Sequence, residues 1–68
     1  MKNKIKELRS SAKLSQAELA KQCKVSRQTI NAIENEKYDP TLQLAFDIAS
    51  ALNTTVDNLF DSRTNKNQ

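Results

Sequence analysis

Apolar residues recur at three- and four-residue spacing in short runs separated by polar corners, a pattern that predicts five helices. In the first helix, expected over 2–11, Ile5 and Leu8 face inward while Lys2, Lys4, Lys6 and Arg9 form a charged outer face. Ser15 to Glu18 reads as a capping box, in which the serine hydroxyl accepts from the Glu18 amide and the carboxylate reaches back to the Ser15 amide. A second helix therefore starts at Ser15, with Leu19, Ala20 and Cys23 on one face and small Ala20 where two helices cross closely. Ser26 can cap a third helix running to about Asn35, with Ile30 and Ile33 inward and Val25 plugging the corner before it.

Pro40 disfavours helix in the residue before it and suits the first turn of a new one, so a loop is expected over 36–40. The fourth helix, capped by Asp39 or Thr41, extends to about Leu52 and has a wide apolar arc. Leu42, Ala45, Ala49 and Leu52 suffice to face the core, which leaves Leu44, Phe46, Ile48 and Ala51 surplus to it. Asn53 suits the left-handed end of that helix, Thr54 or Thr55 can cap a short last one, and Val56, Leu59 and Phe60 close the core. The fold class expected is all-α, with one domain over 1–60 and a fully polar, frayed tail over 61–68.

A chain of 68 residues is one small domain, and domains of this size bury only about 60% of their unfolded surface. On this reading no ligand-sensing effector domain is expected. The net charge of +3 favours a polyanionic partner only weakly. No run approaches the roughly 20 apolar residues of a membrane span, and Met1 to Glu7 lacks the apolar stretch of a signal peptide, so a cytoplasmic protein with no membrane partner is expected. One cysteine and no histidine leave too few ligands for zinc, and neither metal nor cofactor is expected. Cys23 reads as a small buried residue rather than a redox sensor, since no basic cluster is placed to activate its thiol.

The chemistry concentrates in the third helix. Arg27, Gln28 and Asn31 can each make two hydrogen bonds to one base edge, arginine to guanine and the amides to adenine, and they fall in its first turn and a half. Thr29 can touch a thymine methyl or a phosphate. Behind them Ile30 and Ile33 face the core, so the segment from Leu14 to Glu34 has the build of a helix-turn-helix that reads double-stranded DNA in the major groove.

Four pieces, Leu14-Ser-Gln-x-Glu-Leu-Ala20, Val25-Ser-Arg-Gln-Thr-Ile-Asn-Ala-Ile-Glu-Asn35, Lys37-Tyr-Asp-Pro40 and Ile48-Ala-x-Ala-Leu52, occur in this order. Together they resemble the helix-turn-helix family of the lambda and 434 repressors and Cro (XRE), in its short, single-domain bacterial branch of transcriptional regulators. The likeness spans Ile5 to Phe60. It implies a five-helix lambda-repressor-like domain with the motif in helices two and three, and phosphate contacts from Gln16, Ser26, Asn35 and Lys37. Tyr38 can donate to a phosphate or cover the loop. Glu34 is expected in a structural ion pair, since facing DNA it would repel it. The family usually carries glycine where this glycine-free chain has Lys13, Lys24, Glu36 and Asn53. A left-handed residue with a β-carbon costs about 1–2 kcal/mol, less for asparagine, and Lys13, Lys24 or Lys37 could approach a phosphate.

The surplus apolar side of the fourth helix predicts an interface, with Leu44, Phe46, Ile48, Ala51 and Phe60 joining two copies in a homodimer. The expected function is a regulator, most simply a repressor, that binds a palindromic operator. An antitoxin or a restriction–modification controller would use the same domain, but the tail lacks the amphipathic residues a toxin-binding segment needs. A helical protein-interaction adaptor would not need Gln16, Arg27, Gln28 and Asn31. No enzyme is expected: histidine, a glycine-rich phosphate loop and a paired-carboxylate pocket are all missing from the sequence.

Overall fold

The structure, a computed structural model, describes residues 2–61. Its elements are β1 (Lys2–Asn3), α1 (Ile5–Ser11), α2 (Gln16–Cys23), α3 (Arg27–Glu34), α4 (Leu42–Ala51), α5 (Val56–Leu59) and β2 (Phe60–Asp61). Five helices make the fold all-α apart from one short antiparallel pair, β1 with β2, that joins Lys2 to Asp61 and Asn3 to Phe60. The first helix thus starts at Ile5 rather than residue 2. Asn3 explains the boundary: its Oδ1 accepts from the Ile5 amide at 3.1 Å while its Nδ2 donates to the Ile33 carbonyl at 2.9 Å. Of the tail expected over 61–68, the Asp61 backbone lies in β2; the rest lies outside the described residues.

Side-chain caps start the other four helices. The Ser15 Oγ accepts from the Glu18 amide at 3.0 Å and a Glu18 carboxylate oxygen accepts from the Ser15 amide at 2.8 Å, completing the capping box. Ser26 caps α3 through the Thr29 amide, Thr41 caps α4 through Leu44, and Thr55 caps α5 through Asn58. The Ser15 amide first, and its hydroxyl second, hold the Glu18 carboxyl below its ordinary value. A folded pKa below the unfolded one gives stability that is present above the unfolded value and is lost as pH falls through the folded one. Glu18→Gln should therefore flatten the fall in melting temperature as pH drops below the ordinary glutamate value of 4.5, measured by circular dichroism.

The four turns that end α1 to α4 share one geometry. Lys13, Lys24, Glu36 and Asn53 all have positive φ, between 56° and 61°. The Lys13 amide donates to Ser10 and the next amide, of Leu14, donates back to Arg9; the same pair of bonds recurs at Lys24–Val25, Glu36–Lys37 and Asn53–Thr54. This is the Schellman ending, built here without glycine.

Ile5, Leu19, Ile30, Ile33, Ile48 and Leu59 form the fully buried centre, with Leu44, Leu52 and Phe60 around them. The phase of α4 differs from the expectation. Leu44, Ala45, Ile48, Ala49 and Leu52 are the buried stripe, whereas Leu42, expected inside, is 71% exposed. Both stripes are apolar at helical spacing, and the one selected puts two large branched residues, Leu44 and Ile48, into the core. Leu44, Ile48 and Phe60 are therefore taken up by the chain's own core rather than left for an interface, and Ala51 is half-buried against it. Phe46 remains exposed. No helix among the described residues is long and apolar enough to cross a membrane.

Candidate nucleic-acid interface

Helices α2 and α3 meet at the Lys24 corner, where Ala20 is almost fully buried and its carbonyl accepts from the Val25 amide at 3.0 Å. With Ile30 and Ile33 in the core, the opposite face of α3 must point outward. Arg27, Gln28, Asn31 and Asn35 lie on it and are exposed. The side chains of Arg27, Gln28 and Asn31 have no hydrogen-bond partner among the described residues, so their donors and acceptors are free for a ligand. Thr29 is half-buried, and its hydroxyl lies 3.0 Å from the Ser26 Oγ. It braces the helix start.

Of the residues assigned to phosphate contacts, Ser26, Asn35, Lys37 and Tyr38 are exposed around the two ends of α3. Ser26 is occupied with its cap, and Asn35 donates from Nδ2 to the Asn31 carbonyl at 2.9 Å. Gln16 differs from them. It is half-buried at the start of α2, and its Nε2 donates to Glu34 Oε1 at 3.0 Å.

Glu34 is the hub of that arrangement. The Arg9 guanidinium meets it with two bonds, Nε to Oε2 at 2.8 Å and a terminal nitrogen to Oε1 at 3.3 Å, and donates a third to the Leu14 carbonyl at 2.9 Å. The Glu34 side chain is only 5% exposed and that of Arg9 14%. The structural ion pair expected of Glu34 is thus present, whereas Arg9 turns inward instead of joining the charged outer face. Its spacing signals this: Arg9 stands one turn after Ile5 and next to Leu8, on the buried stripe of α1. Cys23 is buried, and desolvation first, with Asp47 second, pushes its thiol up. A raised thiol pKa opposes the thiolate that redox chemistry requires.

A compact helix pair with a free polar face on its second helix defines a DNA-binding module of the helix-turn-helix class. The chain belongs to the helix-turn-helix family HTH_3, whose profile matches residues 5–59, and is a DNA-binding transcriptional regulator. It is 52% identical over 60 residues to the uncharacterized HTH-type transcriptional regulator MJ0272 of Methanocaldococcus jannaschii, a match covering 88% of this chain and 91% of that protein. With the uncharacterized HTH-type transcriptional regulator YgzD of Bacillus subtilis it shares 43% identity over 60 residues, again 88% and 91% of the two chains. The bacterial branch expected from the sequence thus widens to relatives that include archaeal proteins. Among solved structures, the SinR protein/SinI protein complex contains a chain that superposes with a TM-score of 0.78 at 26% identity. That match covers 88% of this chain and 59% of the solved one.

Proposed function

We propose that this protein binds an inverted-repeat operator as a homodimer in the cytoplasm and represses transcription by occluding a promoter. The observation that carries the reading is the outer face of α3, where Arg27, Gln28 and Asn31 are exposed and have no partner among the described residues. Arg27, Gln28, Asn31 and, through its methyl group, Thr29 read base edges. Gln16, Ser26, Asn35, Lys37 and Tyr38 hold the phosphates on either side. Lys37→Ala should weaken all duplexes alike, whereas Gln28→Ala and Arg27→Ala should each cost about 1–3 kcal/mol on the preferred sequence and relax one base pair per half-site. Fragments retained from a random DNA pool identify that sequence. Equal losses on preferred and random duplexes for Gln28→Ala would remove it from base readout.

The support for a dimer is the exposed apolar edge of α4. Leu42 is 71% and Phe46 54% exposed, one helical turn apart. Phe46 also borders an open groove of about 420 Å³ whose other walls include Ala49, Ser50, Thr54 and Val56. For a homodimer formed on this edge to read half-sites about ten base pairs apart, its two recognition helices must lie about 34 Å apart. Phe46→Glu should then give a folded monomer with weaker operator binding, because two half-sites are no longer held as one unit. Leu44→Glu should unfold the chain, since Leu44 belongs to the core. Sedimentation of the unmodified protein as a monomer at tens of micromolar would reject the dimer.

A further inference from the structure

We infer that Glu34 and Arg9 are positioning residues for DNA: together they lock the Gln16 side-chain amide so that its second N–H is presented to a backbone phosphate. The inference rests on the DNA-binding reading above and adds to it two residues that do not themselves face the ligand.

The chemistry is set by the hydrogen-bonding capacity of one amide. A glutamine side chain has two N–H donors and one carbonyl acceptor, and a free amide can flip either end toward a neighbour. A phosphate oxygen accepts and cannot donate, so only the nitrogen end is of use to it. Glu34 Oε1 is a carboxylate oxygen 3.0 Å from the Gln16 Nε2, and a carboxylate likewise accepts only. It therefore selects the orientation that turns the nitrogen inward and fixes the amide plane. One N–H is used on Glu34, and no further bond of the Gln16 side chain is present among the described residues. The remaining N–H is held in a set direction at the start of α2, where the first backbone amides of a helix also lack intrahelical partners.

Glu34 could not perform this role alone. A bare carboxylate beneath a phosphate-binding residue would repel the anion that the residue is meant to hold. The Arg9 guanidinium covers both carboxylate oxygens, at 2.8 and 3.3 Å, and cancels that charge locally. It is in turn fixed by the Leu14 carbonyl, one residue before the cap of α2. Three helices thus converge on one amide: α1 supplies the neutralising cation, α3 the acceptor and α2 the glutamine.

The test uses the full chain, labelled with nitrogen-15, and a mixed-sequence 20-base-pair duplex at low salt, because a phosphate contact does not depend on sequence. In the free protein the Gln16 Nε2 proton that faces Glu34 should lie downfield of its position in an exposed glutamine amide, whose two protons are already resolved by slow rotation about the C–N bond. On adding duplex, the proton facing Glu34 should stay in place while its partner moves downfield. Two Nε2 protons that stay put while α3 amides shift, or that both move to the positions of a solvent-exposed glutamine amide, would overturn the inference. A protein in which no resonance moves would reject the DNA-binding reading itself. A second measurement separates positioning from stability. Gln16→Ala should weaken duplex binding about tenfold, the scale of one hydrogen bond to a charged group. Glu34→Gln, compared under conditions where circular dichroism shows it folded, should weaken binding in the natural background and have no further effect in the Gln16→Ala background. Equal weakening in both backgrounds would mean that Glu34 acts through the fold alone. The resonance experiment, on the unsubstituted protein, still decides the matter if Glu34→Gln does not fold.

Discussion

Arg9→Ala should destabilise the domain by about 3 kcal/mol, the low end of the cost of removing one partner of a buried ion pair, because this pair is partly buried. The Glu34 side chain is 5% exposed and takes its hydrogen bonds from Arg9 and Gln16. Without the guanidinium, a buried carboxylate would be left with one neutral donor. Single domains unfold with only about 5–15 kcal/mol, and small ones lie at the low end, so most of the stability would be lost. The Leu14 carbonyl would lose its donor as well. The paired change Arg9→Met with Glu34→Leu should be far milder, because it removes both charges and leaves apolar groups of similar size in their place. Urea unfolding followed by circular dichroism measures both. A loss below about 1 kcal/mol for Arg9→Ala would place Glu34 in effective contact with water, where ion pairs contribute little.

Local rules carried most of the fold. The caps at Ser15 and Ser26 are legible as single residues, whereas the sequence leaves Asp39 or Thr41 and Thr54 or Thr55 open for α4 and α5, and Thr41 and Thr55 take them. The left-handed corners were legible through the family's glycine positions, and all four have positive φ. What failed was information that no single element contains. Either stripe of α4 could face inward, and only the fit against the other helices chose Leu44 and Ile48 over Leu42. Two-residue strands have no periodicity to detect, so β1 and β2 leave no trace in the sequence and arise only from the pairing of Lys2–Asn3 with Phe60–Asp61. At the candidate site, the outward residues of α3 could be read because Ile30 and Ile33 fix its inner face. The tie from Gln16 to Glu34 spans 18 positions and has no sequence signal beyond the residue types. The inward turn of Arg9 is legible in its spacing, one helical turn after Ile5, although its charge alone points to the outer face.

The combined substitution Lys13→Gly, Lys24→Gly and Glu36→Gly should raise stability by about 2 kcal/mol. Each residue sits at a φ of 60° or 61°, where a β-carbon crowds the backbone at a cost of about 1–2 kcal/mol. Glycine removes that cost but gives the unfolded chain more freedom, an opposing effect of about 0.4–1 kcal/mol. The net gain is therefore about 0.5–1 kcal/mol per site, and changes at three separate turns should add. Asn53→Gly should gain less, because asparagine tolerates the left-handed region. Thermal unfolding is the measurement, at about 4–8 °C per kcal/mol for a domain of this size. Duplex affinity against salt then tells why lysine stands at two of the corners. Lys13 and Lys24 each lie two residues before the cap of a motif helix. If each lysine neutralises a phosphate, its glycine variant should lower the slope of log affinity against log salt by about 1, while Glu36→Gly, which removes a negative charge, should not. Unchanged slopes would leave both lysines as solvated residues on strained turns, and a triple variant less stable than the natural chain would reject the strain itself.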